Sequence, residues 1–81
     1  MKLDVQLFAR ARDLAGADRV VLDLPEPSCV AELRTRLGEN YPQLIPMLPS
    51  LLIAVDANYA GDETPLPVGC EVACFPPVSG G

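Results

Sequence analysis

The sequence predicts a small α+β domain in which a mixed β-sheet packs against one main helix. Three observations predict it: polar and apolar residues alternate in two segments near the N-terminus, a helical apolar stripe follows, and a third alternating segment ends at Pro76-Pro77. Alternation is typical of half-buried strands, and a stripe at positions i, i+3 and i+7 is typical of an amphipathic helix. A chain of 81 residues has room for one domain only.

The N-terminal segments predict two strands joined by a helical turn. Residues 2–10 predict the first strand, in which Phe8 is an aromatic residue on the polar face. Residues 10–15 predict a short helical turn that ends at Gly16, and residues 19–24 predict a second strand that pairs with the first as a hairpin. The inward faces of the two strands consist of Leu3, Val5, Leu7 and Ala9, and of Val20, Leu22 and Leu24.

The main helix is predicted to begin near Ser28 or Cys29 and to end at Gly38, a common residue after a helix C-terminus. Its apolar stripe consists of Val30, Leu33 and Leu37. Residues 41–50 contain three prolines, so this segment cannot be a regular helix or a central strand. We expect turns there that bring three apolar side chains into the core: Leu44, Ile45 and Leu48.

The C-terminal half predicts a strand at 51–55, a very short edge strand within 59–64 and a final strand at 70–75. In the final strand Cys70, Val72 and Cys74 share the inward face, and Phe75 lies on the other. A helix after the first hairpin must cover one face of the sheet, and the right-handed crossover rule favours a later strand parallel to the first. This arrangement is the β-grasp, or ubiquitin-like, fold, and we expect it over residues 1–77, followed by an extended functional tail at 78–81.

Composition excludes several classes of function. A net charge of −5 argues against nucleic-acid binding, which favours basic surfaces, and fits partners that present basic groups. The apolar runs are far shorter than the ~20 residues of a membrane-spanning helix, and no signal segment is visible, so we expect a cytoplasmic protein. The chain has no histidine, which argues against acid–base catalysis in place and against a metal site.

The three cysteines, Cys29, Cys70 and Cys74, are interpreted mainly as core filling. In one extended strand, the Cα atoms of Cys70 and Cys74 would lie about 13 Å apart, too far for a disulfide. Cys29, at a helix start, is the most plausible reactive thiol of the three, because the helix dipole favours a thiolate there.

Two features do indicate a function. The first is the Gly80-Gly81 terminus, which follows a rigid Pro76-Pro77 pair and would reach about 13 Å beyond it. Glycines fit a channel too narrow for side chains, and the terminal carboxylate would be the reactive group at the tip. The second feature is that Phe8 and Phe75 both face outward. The first and last strands of a β-grasp are neighbours, so the two rings would form one binding patch beside the tail.

The whole chain resembles the small subunits of molybdopterin synthase, within the ubiquitin-like sulfur carriers. The resemblance lies in FARARDLAG at residues 8–16, in DANY at 56–59 and above all in EVACFPPVSGG at 71–81. It implies that Gly81 is adenylated by a ubiquitin-activating-type enzyme that uses ATP, and is then converted to a thiocarboxylate. The sulfur would come from a cysteine desulfurase or a rhodanese-type donor.

The resemblance also implies the partners of the chain. A large synthase subunit would receive the tail, with Gly80 in its channel, and would transfer the sulfur to cyclic pyranopterin monophosphate. This chain would then be a non-catalytic sulfur donor within a heterotetramer, with no cofactor or metal of its own. The implied partner-binding residues are Phe8, Arg12, Tyr59 and Phe75, with Pro76, Pro77, Val78 and Ser79 from the end of the chain.

Three alternatives stay open at this point. The chain could be a related sulfur carrier for thiamine synthesis or tRNA thiolation. It could be a ubiquitin-like modifier that is conjugated to lysines, since activation and tail would be the same. It could also be a plain interaction domain with an inert tail.

Overall fold

The computed structural model describes residues 1–77. The secondary-structure elements in that range follow one another as β1 (Lys2–Leu7), α1 (Ala9–Ala15), β2 (Arg19–Asp23), α2 (Val30–Asn40), two short 3₁₀ turns (Pro42–Leu44 and Leu48–Ser50), β3 (Leu52–Val55), β4 (Asn58–Ala60) and β5 (Val72–Phe75).

The strands form one mixed sheet in the order β2-β1-β5-β3-β4. β1 pairs antiparallel with β2 and parallel with β5, so that Val5 lies opposite Val20 on one side and Val72 on the other. β3 pairs antiparallel with both β5 and β4. The central parallel pair and its antiparallel flanks are those of the β-grasp fold, which confirms the fold predicted from the sequence.

The core lies between the inner face of the sheet and α2. The inward residues predicted for the second strand and for the helix stripe are all buried: Val20, Leu22, Leu24, Val30, Leu33 and Leu37. In the first strand Leu3, Val5 and Leu7 are buried, but Ala9 is not, because β1 ends at Leu7 and the chain turns into α1. Ala9 takes a φ of 52° at that turn.

The start of α2 agrees with the sequence, whereas its end does not. Cys29 is the N-cap residue and Glu32 lies in the first turn, near the positive end of the helix dipole. The prediction that the helix ends at Gly38 is wrong, since α2 continues to Asn40. Gly38 is buried instead against the 3₁₀ segment, where an added Cβ would lie 2.7 Å from Leu48 Cδ1. Close packing, and not helix termination, accounts for this glycine.

The proline-rich segment is held by Arg34 of α2. Arg34 Nη1 donates to the carbonyl oxygens of Leu48, at 2.6 Å, and Leu51, at 2.8 Å, while Nε donates to Asp62 Oδ1 at 2.7 Å. The expected turns are present, and of the three side chains predicted to enter the core, Leu44 is buried and Leu48 is half-buried. The third prediction is wrong: Ile45 is 53% exposed, because the 3₁₀ geometry turns it outward.

Candidate functional site

The parallel pairing of β1 and β5 brings the two phenylalanines together. Leu7 lies opposite Cys74, and the Phe8 N–H donates to the Cys74 carbonyl oxygen at 3.2 Å, just past the end of β1. Because parallel strands end at the same edge of a sheet, Phe8 and Phe75 lie side by side. Their ring centroids are 4.7 Å apart and their planes differ by 7°, a stacked pair. The prediction that the two rings adjoin is confirmed.

Phe8 nevertheless differs from the prediction in one respect. It was expected within the strand, on its polar face, but it lies beyond β1 as the N-cap residue of α1. Both phenylalanine rings are half-buried, because each covers part of the other.

Tyr59 of β4 completes a set of three aromatic rings. Its ring centroid lies 6.4 Å from that of Phe75 at an interplanar angle of 68°, an edge-to-face contact. The residue is 75% exposed, so most of it is free to contact a partner.

Small residues make the sheet concave beside these rings. Ala54 lies opposite both Tyr59 and Ala73 in the strand register, and Leu52 lies opposite Phe75. A groove of about 390 Å³ runs over Ala54 and Ala73, between Tyr59 and Phe75. We call this region the aromatic surface; it comprises Phe8, Leu52, Ala54, Tyr59, Ala73 and Phe75.

The sequence placed Ala73 on the outer face of the last strand together with Phe75, and the alternation of buried and half-buried residues in β5 confirms this. It did not indicate that Leu52, Ala54 and Ala73 belong to one binding surface, although Ile53 of β3 points inward and strict alternation places its two neighbours on the outer face. Both faces of this strand are apolar, and that composition concealed which side is open to a partner.

Arg12 and the two prolines lie close to the aromatic surface along the chain. Arg12 follows Phe8 by one turn of α1, and its Nε lies 3.7 Å from Asp13 Oδ1. Pro76 is half-buried and Pro77 is exposed, directly after Phe75. The other predicted site residues, Val78, Ser79, Gly80 and Gly81, lie outside the described residues, and the division between a domain at 1–77 and a tail at 78–81 stays a prediction.

Two of the cysteines are poorly suited to sulfur chemistry. Cys74 is fully buried, and burial raises the pKa of its thiol to about 12, although the Arg34 charge acts in the opposite direction. Burial also raises the pKa of Cys70, with the Asp56 carboxylate as a second cause. Cys29 is half-buried at the start of α2. The predictions that Cys74 in β5 and Cys70 just before it belong to the core are thus confirmed. Because their thiol pKa values are raised, neither thiol readily becomes the nucleophilic thiolate.

Within residues 1–77 no group of three or more cysteine or acidic side chains is placed to hold a metal ion. No helix in that same range has the length and apolar character needed to cross a membrane.

Fold and surface together define a ubiquitin-like domain whose aromatic surface adjoins its C-terminal strand. The model of the ThiS family matches residues 5–81, and the chain therefore belongs to the ThiS family. The sulfur-carrier resemblance seen in the sequence is confirmed at this level.

Individual relatives agree with this assignment. The molybdopterin synthase sulfur carrier subunit of Caenorhabditis elegans is 36% identical over 83 residues, which cover 100% of this chain and 99% of that protein. The crystal structure of SAMP1 from Haloferax volcanii has a TM-score of 0.87 at 25% identity and covers 100% of both chains. The small archaeal modifier protein 1 from Methanosarcina acetivorans has a TM-score of 0.82 at 28% identity, covering 99% of this chain and 96% of that one.

Proposed function

We propose that this chain is the sulfur carrier subunit of a molybdopterin synthase and that it carries sulfur as a thiocarboxylate on Gly81. The observation that supports it most is the stacking of Phe8 on Phe75 immediately before Pro76-Pro77. A partner that binds the aromatic surface is thereby placed next to the point where the chain leaves the sheet. Recognition and delivery of the C-terminus are then one binding event.

The chemistry of the terminal carboxylate sets what the partners must do. A carboxylate is a poor electrophile, so an activating enzyme must first join it to AMP from ATP, with release of pyrophosphate. The persulfide of a cysteine desulfurase or rhodanese-type donor then displaces AMP and forms an acyl disulfide with Gly81. A second thiol attacks the donor sulfur of that bond, which releases the thiocarboxylate and leaves the two thiols joined as a disulfide. The chain supplies the acyl group and the docking surface, and ATP is bound by the activating enzyme.

The large subunit of the synthase is the second proposed partner. The aromatic surface would dock on it, Arg12 would pair with an acidic group at the edge of the contact, and Gly80 would pass through a narrow channel. Sulfur would then move from Gly81 to cyclic pyranopterin monophosphate. We expect this assembly, with two carriers on a dimer of large subunits, in the cytoplasm.

A second function is favoured by one observation, the likeness to small archaeal modifier protein 1. A modifier would use the same activated Gly81 but would transfer it to a lysine amine. Conjugates of higher mass that carry this chain, formed with ATP and cell extract, would identify that activity. The rival carriers for thiamine or tRNA thiolation would instead sulfurate their own acceptors and leave the pterin precursor unchanged.

The test is sulfur transfer by chains with an altered C-terminus. In a reaction with ATP, activating enzyme, sulfur donor and large subunit, deletion of Gly81 or addition of one alanine after it should abolish pterin sulfuration. Thermal unfolding should be unchanged. Gly61→Ala is a matched control, since Gly61 is exposed and an added Cβ there meets nothing within 4 Å. Full sulfuration by the extended chain would contradict the proposal.

A further inference from the structure

One long edge of the sheet, that of β2, is open. The opposite edge is β4, which has only three residues, Asn58–Ala60, whereas β2 has five, Arg19–Asp23. Folded proteins commonly shorten an edge strand, interrupt it with proline or bend it with a bulge, because an exposed edge pairs readily with another chain. β2 contains no proline or glycine, and its register with β1 is unbroken. It is therefore a strand that another strand can join.

The hydrogen bonds between β1 and β2 show which backbone groups face this open edge. The Leu24 N–H donates to the Met1 carbonyl oxygen at 2.8 Å, and the Leu7 N–H donates to the Asp18 carbonyl oxygen at 2.8 Å. Hydrogen-bonded pairs alternate along an antiparallel ladder, so the even-numbered residues of β2 bond to β1. The N–H and C=O groups of the odd-numbered residues 19, 21 and 23 point away from β1, and no other strand within residues 1–77 pairs with them.

The side chains of these three residues are complementary to themselves. Arg19, Val21 and Asp23 are all exposed, and Val21 is 58% exposed. In an antiparallel pair of two β2 strands with a two-fold axis at Val21, each Arg19 lies opposite Asp23 of the other copy, and the two valines lie opposite each other. Opposed residues of opposite charge stabilise such a pair, and like charges destabilise it. Any shift of this register loses both ion pairs.

We propose that β2 binds β2 of a second copy of this chain, as an antiparallel dimer centred on Val21. The Val21 N–H donates to the Val21 carbonyl oxygen of the other copy, and Arg19 and Asp23 exchange backbone hydrogen bonds in the same way. Every outward N–H of β2 thereby gains an acceptor. The occupant is a second copy because the spacing of the two opposite charges matches β2 itself.

Both charged side chains are available for this contact. Arg19 has no carboxylate partner within residues 1–77. Asp23 Oδ1 lies 3.7 Å from the N-terminal ammonium, but the Asp23 side chain is 77% exposed and its second oxygen is open to Arg19 of the other copy. The ion pairs are thus exposed, and the dimer should weaken as salt concentration rises.

The dimer is weak and closed. One pair of short strands buries less than the ~1,200 Å² of a stable interface, so we expect a dissociation constant of about 0.1–1 mM. The two-fold contact uses the long edge of both copies and leaves only the short β4 edges, so association stops at two chains. β2 is the edge farthest from β4 and Tyr59, so the aromatic surface stays open and this inference does not rest on the proposed function.

The first experiment is NMR and sedimentation of the isolated, isotope-labelled full chain between about 0.02 and 2 mM. As concentration rises, the amide signals of Arg19, Val21 and Asp23 should shift and their protons should exchange more slowly with deuterium. The signals of Tyr59 and Phe75 should stay constant, and the sedimenting mass should approach that of two chains. Signals of β2 that do not change with concentration would overturn the inference. Shifts of Tyr59 and Phe75 in their place would do the same, because the second copy would then lie on the aromatic surface.

Charge exchange tests the register itself. Arg19→Asp and Asp23→Arg each place like charges opposite each other, and each should raise the dissociation constant about tenfold or more. An equimolar mixture of the two variants should associate again, because every guanidinium then faces a carboxylate. Net charge alone predicts otherwise for Asp23→Arg, which adds two positive units and lowers the net charge from −5 to −3. Glu63→Arg is the matched control, with the same change of charge at an exposed residue outside β2, and should leave the dimer intact.

Val21→Pro tests the backbone contact without a change of charge. It removes the central outward N–H, which takes no part in the β1 ladder, and should abolish the dimer while thermal unfolding shows a folded chain. A folded Val21→Pro variant that still dimerises would overturn the inference, as would a mixture of the two charge variants that associates no better than either variant alone.

Discussion

Phe8 and Phe75 stack with their ring centroids 4.7 Å apart, although one is the N-cap residue of the first helix and the other ends the last strand. The Phe8 N–H also donates a hydrogen bond to the Cys74 carbonyl oxygen, so the backbones of the two segments are joined beside the stacked rings. The two rings therefore lie together at the edge of the sheet where Pro76 and Pro77 follow. In the proposed function, a partner that binds these rings therefore lies next to Pro76 and Pro77.

Phe75→Ala should weaken binding of the large subunit by about 1–3 kcal/mol, as truncation of a central interface aromatic does. Its effect on folding should be smaller than the ~3–5 kcal/mol of a core phenylalanine, because the ring is only half-buried. Loss of the stacking contact with Phe8 should by itself lower the free energy of unfolding by about 0.5–1.5 kcal/mol. Calorimetric titration and denaturant unfolding measure the two effects separately.

Val21→Ala is the control for this pair of measurements. Val21 is an exposed apolar residue on β2, the edge strand of the sheet that lies farthest from β4 and Tyr59. It should leave binding unchanged. Normal binding by Phe75→Ala together with a large drop in melting temperature would show that the ring serves the core and not the partner.

The buried thiol of Cys74 should make stability fall in alkaline solution. An unfolded chain loses this proton near the ordinary value of 9.0, whereas the folded chain, whose thiol pKa is about 12, retains it. Between those values the folded state binds more protons, so the free energy of unfolding falls as pH rises, by up to about 1.4 kcal/mol per pH unit. Below pH 9 this contribution is fully present.

Cys74→Ala isolates that contribution because it removes the titrating group and leaves the other alkaline groups in place. Urea unfolding of both proteins between pH 8 and about 10.5 should show a steeper decline for the native chain. Parallel declines would mean that Cys74 titrates in the folded protein as it does in the unfolded one.

Arg34 should be the most costly arginine to replace. Arg34→Met leaves the Leu48 and Leu51 carbonyl oxygens without their donor, and hydrogen bonds to charged groups contribute about 1.5–3 kcal/mol. Arg36→Met removes only a pair with Glu39 at the surface and should cost less than about 0.5 kcal/mol. Equal losses in the two variants would show that the proline-rich segment does not depend on Arg34.

Much of the fold could be predicted from the sequence because the inward and outward faces alternate strictly. Leu3, Val5, Val20 and Leu22 are buried as expected, and the parallel neighbour of β1 followed from the crossover rule. The end of α2 could not be predicted, because Gly38 by itself indicates the end of a helix. Only the folded structure, in which Leu48 packs against Gly38, shows that the glycine is there for close packing. The outward turn of Ile45 likewise depends on geometry that no local pattern encodes.

The sequence predicted that the aromatic rings of the candidate site lie together, but it did not predict the groove beside them. Outward phenylalanines in neighbouring strands were visible, but the hollow over Ala54 and Ala73 requires the register of three strands.

The site of sulfur attachment tests the central claim most directly. In a variant with Cys29→Ser, Cys70→Ala and Cys74→Ala that still folds, incubation with ATP, activating enzyme and sulfur donor should exchange one oxygen for one sulfur. Fragmentation in the mass spectrometer should place that exchange on Gly81. Loss of loading in the folded variant, or a gain of a whole sulfur atom on a cysteine of the native chain, would contradict the thiocarboxylate account.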